Sequence, residues 1–230
     1  MTGHHSDRTK ENAGEAPELV LMHGWGYDAT LWDDVASLLT PRTVRKLEAG
    51  YFGAAPCLAL PTRPFIAIGH SAGGLWFLKQ NLTLCQAVIL INSFTRFTRG
   101  EDFPLGQAPA ILARMSRRLA TAPNDVITLF RKNIGDTGTF NDPVSDRLMS
   151  GLADLAACDA RYQARIMTPP LYALAGSDDP LVPPPCLARV LKISIILHGR
   201  RGTMCSPAPS HIYAPVLSEI FLTIYIHEPV

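Results

Sequence analysis

A single serine stands among small residues in Gly69-His70-Ser71-Ala72-Gly73-Gly74, and its surroundings could make it a nucleophile. Serine attacks poorly at neutral pH unless a base within hydrogen-bond reach takes its proton and an acid orients that base. Downstream the chain offers two adjacent acids, Asp178 and Asp179, and then the histidines His198 and His211. Serine, acid and histidine in that order can perform acyl transfer on an ester. His211 is the candidate base, because His198 stands too close to the strand it follows to reach over the serine. His70, beside the nucleophile, is expected to shape the pocket floor. Asp179-Pro180 is also an ordinary turn pair, so on spacing alone both acids remain candidates. The developing oxyanion needs two backbone N–H donors. Ala72 supplies one. Trp25, in the open glycine turn His23-Gly24-Trp25-Gly26, is the candidate for the other, its indole either covering the scissile bond or serving as buried core.

These residues are useful only if a scaffold gathers them. Phe65-Ile66-Ala67-Ile68 reads as a buried strand and 72–82 as a helix, so Gly69-x-Ser71-x-Gly73 falls on a sharp strand-to-helix turn. A serine there is pushed out above the sheet, and the flanking glycines let strand and helix approach. A glycine-rich turn without chemistry is the plain alternative. Further buried strands are expected at 19–22, 87–91, 171–175 and 193–197, and a short one at 43–48. Helices are expected at 31–39 (stopped by Pro41), 186–191 and 212–224. Residues 50–53 read as a turn, and 54–64 are too short and proline-broken for a helix. Between Phe103 and Ile166 the pattern is helical throughout, with segments at 108–120, 124–134 and 142–157. Alternating strands and helices predict an α/β fold, a parallel sheet covered on both faces with ligands at the carboxyl ends of its strands. His23, Ser71, Asn92, Asp179 and His198 all fall at expected strand ends.

Net charge is +1 and the pI about 7.7, which argues against bulk attraction to nucleic acid or membranes. No apolar run reaches the length of a membrane span. Residues 1–17 read as a polar, disordered tail without the apolar core of a signal peptide, and His4 and His5 as solvated. The five cysteines are odd in number and scattered, with no Cys-x-x-Cys pair, so neither a zinc site nor a disulfide framework is expected. Reduced thiols fit a cytoplasmic location.

With Leu-Val-Leu-Met-His-Gly-Trp-Gly at 19–26, Gly-His-Ser-Ala-Gly-Gly at 69–74 and Gly-Ser-Asp-Asp-Pro-Leu-Val-Pro at 176–183, the chain resembles the α/β-hydrolases. Asn-Ser-Phe-Thr-Arg-Phe at 92–97, Leu-Ala-Ala-Cys-Asp-Ala-Arg at 155–161, and His211 followed by Ala214-Pro215 narrow the likeness. It is similar to the pimeloyl-[acyl-carrier protein] methyl ester esterases of biotin synthesis. The resemblance implies a Ser71–Asp179–His211 triad, choosing Asp179 over Asp178, and an oxyanion hole at Trp25 and Ala72. It needs no metal or cofactor. It also implies an acyl site with Trp25, Phe94 and Phe97, and a helical cap at 103–166 over a core of 18–102 and 167–230. Basic cap residues Arg114, Arg117, Arg118, Arg131 and Lys132 would dock an acidic acyl-carrier protein, or else form only a solvated face. Three departures stand out: no counterpart of the two strands that open the family's fold, a short 50–64 connection, and a long, irregular 199–210 segment before His211. A broad carboxylesterase for short acyl esters and a non-catalytic binding protein on the same fold are the other readings.

Overall fold

The run Leu19-Val20-Leu21-Met22 is apolar without alternation because it is buried on both faces, as an interior strand of a parallel sheet must be. The computed structural model describes residues 16–176, 179 and 181, together with the backbone of 193–197. Its strands are β1 (Glu18–Met22), β2 (Val44–Leu47), β3 (Phe65–His70), β4 (Cys85–Ile91), β5 (Leu171–Gly176) and β6 (Ile193–Leu197). They form one parallel sheet in the order β2-β1-β3-β4-β5-β6. In register, Leu19 lies opposite Ile66, and Ile68 opposite Ile89.

From β1 the chain first moves outward to β2 and then returns to the other side as β3. The reversal opens a crevice between the carboxyl ends of β1 and β3, the place where ligands bind in open α/β sheets. His23 follows β1 and Ser71 follows β3, so the residues that could do chemistry flank this crevice.

Alternation within the strands separates two cores. Leu19, Leu21, Ile66, Ile68, Ile89 and Ile91 face Trp32 and Val35 of a 3-10 turn (Ala29–Trp32) and helix α1 (Asp33–Leu38). Val20, Met22, Ala67, Val88 and Leu90 face Leu75 and Phe77 of α2 (Ala72–Leu78). This second core runs on into four helices inserted between β4 and β5: α3 (Pro109–Leu119), α4 (Pro123–Asn133), α5 (Ser145–Ala157) and α6 (Arg161–Ile166). Leu112, Leu119, Val126, Ile127, Leu148 and Leu152 bury their apolar stripes there.

Some boundaries differ from expectation. The helix expected over 72–82 ends at Leu78, because Asn81 accepts the Thr83 amide in a local turn that competes with a helix. The helix expected from 142 starts at Ser145, after Pro143, while the Val144 amide donates to Tyr51 O at 2.8 Å. The short helix α6 was not distinguished by pattern; the Asp159 carboxylate accepts the Arg161 amide at its start. Residues 1–15, the helices expected at 186–191 and 212–224, Asp178, His198, the 199–210 segment and His211 lie outside the described residues.

Candidate active site

Ser71 has φ +52° and ψ −121°, a conformation rare for a residue with a Cβ, which costs on the order of 1–3 kcal/mol. Its surroundings enforce it. The Ser71 amide donates to Ile91 O at 2.9 Å, and its carbonyl accepts from Gly74 N at 3.0 Å and Ser93 Oγ at 2.6 Å. The turn closes only because two neighbours lack Cβ atoms. One added at Gly69 would stand 2.4 Å from the Gly74 backbone, and one at Gly73 would stand 2.3 Å from Met22 O. The strain and the two glycines together place Ser71 at the carboxyl edge of the sheet.

Ser71 opens into a narrow cavity of about 20 Å³. Trp25 and Tyr27 enter it from the loop after β1, His70 from the end of β3, and Asn92 from the end of β4. Phe130 and Ile134 reach it from α4 and its end, and Asp179 and Leu181 from beyond β5. The structure thus brings Ser71, Trp25 and Asp179 into one cavity from three separate stretches of chain. Asp179 Oδ1 accepts the Leu181 amide at 2.8 Å, so this aspartate also shapes its own turn. Gln107 Nε2 donates to Leu181 O at 3.1 Å and ties the insertion to that turn.

The loop after β1 is held at several points. His23 is buried, with Nδ1 2.9 Å from Gly24 O and Nε2 accepting the Ala49 amide at 3.1 Å. Those partners put the proton on Nδ1. Glu48 accepts the Ala29 amide at 2.8 Å and the Gly50 amide. The Trp25 indole donates to Leu148 O at 2.9 Å and meets Phe130 edge to face at 4.9 Å. The indole therefore lines the cavity and is a buried packing group at once. Among the described residues, the Trp25 and Ala72 amides have no backbone acceptor in the surrounding loops.

His70 lines the cavity, with its ring 6.1 Å from that of Tyr27 and its buried Nδ1 without a hydrogen-bond partner among the described residues. Burial, and then the nearness of His23, pushes its pKa down to about 4. So weak a base cannot serve a serine near neutral pH. Its folded pKa lies below the ordinary value of 6.5, so between these values the unfolded chain binds more protons. Stability is then complete above about pH 6.5 and is lost as the pH falls towards 4, by about 3 kcal/mol. Urea midpoints measured across that range should fall for the wild type and fall less for His70→Phe.

Phe94 is buried and packs on Phe97 at 4.7 Å, and neither is in the lining of the serine cavity. One expectation is corrected. Arg131 is not on a docking surface: it is only 6% exposed, and its guanidinium is bonded within the protein. Arg114, Arg117, Arg118 and Lys132 are exposed, and Arg118 pairs with exposed Asp125 at 3.1 Å. Phe130, Ile134 and Tyr27 were not legible as site residues, since they occupy ordinary apolar positions in the sequence.

A second cavity, of about 250 Å³, has Ala72 in its wall. Leu75 and Trp76 of α2, Leu155 of α5, and Tyr51 and Leu58 line it, with Lys79 and Arg147 contributing charge. Among the described residues no cluster of His, Cys, Asp and Glu could hold a metal ion, and no helix is long and apolar enough to cross a membrane.

Superposition on solved structures identifies the scaffold. An esterase from Exiguobacterium antarcticum matches with a TM-score of 0.74, covering 94% of this chain and 93% of its own, at 14% identity. The chain has the α/β-hydrolase fold. An enol-lactonase from Burkholderia xenovorans LB400 shares the scaffold with a TM-score of 0.65 and 14% identity, over 94% of each chain. At such identities it is the fold that is shared. No family model matches the sequence. Curated relatives are nearer: a pimeloyl-[acyl-carrier protein] methyl ester esterase of Legionella pneumophila (strain Corby) is 28% identical over 234 residues, covering 91% of this chain and 94% of the relative. One from Xylella fastidiosa (strain M23) is 29% identical over 204 residues, covering 75% and 80%. On this α/β-hydrolase core Ser71, Trp25 and Asp179 line one cavity, and His211 lies outside the described residues.

Proposed function

We propose that this chain is a serine carboxylesterase that hydrolyses the methyl ester of a pimeloyl group carried on acyl-carrier protein, a reaction of biotin synthesis in the cytoplasm. The observation that carries the esterase reading is Ser71, held at φ +52° on a strand-to-helix elbow in one cavity with Trp25 and Asp179. The substrate comes from the relatives' names. Ser71 Oγ attacks the ester carbonyl while His211 takes its proton and Asp179 orients the imidazole. The amides of Trp25 and Ala72 receive the oxyanion. The tetrahedral adduct then expels methanol, which takes the proton from His211, and a water deprotonated by His211 releases the acid from the acyl-serine. Helices α3–α6 act as the cap. The acyl chain lies along the apolar wall of the 250 Å³ cavity at Ala72, between Leu75, Trp76 and Leu155. A broad carboxylesterase acting on short acyl esters is the second reading, favoured by the small volume at Ser71. Complementation of a biotin auxotroph lacking the methyl ester esterase separates the two: growth supports the first reading, and failure with intact hydrolysis of short esters supports the second.

Carrier docking has its own test. Arg114 stands three and four residues before Arg117 and Arg118 on α3, so the three can share one exposed face. Exposed charges steer encounter and are screened beyond about 8 Å at physiological ionic strength. Arg114→Ala combined with Arg118→Ala should lower kcat/KM for the carrier-bound methyl ester by about tenfold at low salt and less at high salt. Hydrolysis of a p-nitrophenyl ester should be unaffected. Equal loss on both substrates would mean structural damage to the cap, and no loss on either would leave these arginines as a solvated face.

A further inference from the structure

Arg131 points inward from α4 towards the loop that follows β1. Its Nε and Nη2 donate to the Gly26 carbonyl at 3.0 and 2.9 Å. Its Nη1 donates to Thr139 O at 3.3 Å and lies 3.7 Å from Asp136 Oδ2, which also accepts the Tyr27 hydroxyl at 2.9 Å. The guanidinium carbon sits 4.4 Å above the Tyr27 ring and 5.0 Å above the Phe140 ring. Burying a guanidinium is costly, and apolar residues of similar volume often serve stability as well. An apolar residue could not, however, hold a carbonyl in two hydrogen bonds.

Gly26 is where that hold matters. Its φ is +74°, and as a glycine on the far side of Trp25 from Gly24 it has a wide choice of backbone conformation. The Arg131 fork removes this freedom by fixing the direction of the Gly26 carbonyl. One residue earlier, the Trp25 indole is tied to Leu148 O and to Phe130. The Trp25 backbone is thus suspended between two anchors, both supplied by the inserted helices.

We propose that Arg131 is a positioning residue for the oxyanion loop, holding the Gly26 carbonyl so that the Trp25 N–H keeps its direction towards the reacting oxygen. This rests on the serine-esterase reading above. Losing an oxyanion donor outright lowers kcat by about 10²–10³-fold, so misdirecting one should cost somewhat less.

Arg131→Lys keeps the charge but loses the planar fork. On p-nitrophenyl acetate it is expected to lower kcat by about 10–100-fold with KM within about twofold, the pattern of an interaction made only in the transition state. Affinity for a trifluoromethyl ketone, which forms a tetrahedral adduct with Ser71, should fall by the same factor. Because the residue is buried, the loss should be the same at low and high salt. Wild-type kcat and ketone affinity in folded Arg131→Lys overturn the proposal, as does a loss carried by KM or abolished by salt. If Arg131→Lys does not fold, Asp136→Asn replaces it. That change leaves the fork and removes its ionic brace, so it should lower kcat and ketone affinity a few-fold at unchanged KM, and wild-type values there overturn the proposal equally. A wild-type protein that neither hydrolyses the ester nor binds the ketone would instead sink the esterase reading itself, and this proposal with it.

Discussion

Ser71→Ala is expected to fold as the wild type does and to lose ester hydrolysis by about 10⁵–10⁶-fold in kcat, the loss that follows removal of a nucleophile from a triad. Stability should be nearly unchanged. The strained φ of +52° penalises any Cβ, and alanine carries the same Cβ as serine. The backbone bonds that hold the elbow, from the Ser71 amide to Ile91 O and from Gly74 N to the Ser71 carbonyl, do not involve the hydroxyl. Circular dichroism and Tm should therefore match the wild type, while labelling by a fluorophosphonate probe disappears. Near-normal turnover in this variant would rule out the proposed mechanism, and a wild-type protein that never labels would favour a binding protein on the same fold.

The second large effect concerns the acid. Asp179→Asn is expected to lower kcat by about 10⁴-fold, because an amide at this position favours the wrong imidazole tautomer and does not stabilise the imidazolium. The turn should survive, since asparagine retains an oxygen that can accept the Leu181 amide as Asp179 Oδ1 does. Asp178→Asn should change kcat by less than about threefold, being outside the triad. Steady-state kinetics on a short p-nitrophenyl ester checks both, and reversed effects would move the acid one residue back.

The elbow could be read in advance because its requirements are local. An apolar strand, two glycines at fixed distances from a serine and a following helix all lie within about a dozen residues, and the structure supplies the backbone strain that this order implies. The strands were equally legible, since a strand buried on both faces has to be written as an uninterrupted apolar run. Helix ends were less so. Asn81 and Asp159 turn the backbone with their own side chains, and whether such a residue caps a helix or forms a turn depends on its neighbours in space as well as in sequence.

Arg131 marks the boundary most clearly. From the chain alone it belongs with Arg114, Arg117 and Arg118, one more cation on a basic stretch, and its residue type favours the surface. A guanidinium can be buried only where carbonyls and a carboxylate converge on it. Those groups come from Gly26, Thr139 and Asp136, and the first lies 105 residues away. Local order and residue type were enough to specify the parallel sheet, the strained serine and the stretches that meet at its carboxyl edge. Which cation faces solvent and which holds the loop after β1 was decided only when α4 came to rest against that loop, because desolvation and hydrogen-bond geometry are properties of the assembled structure.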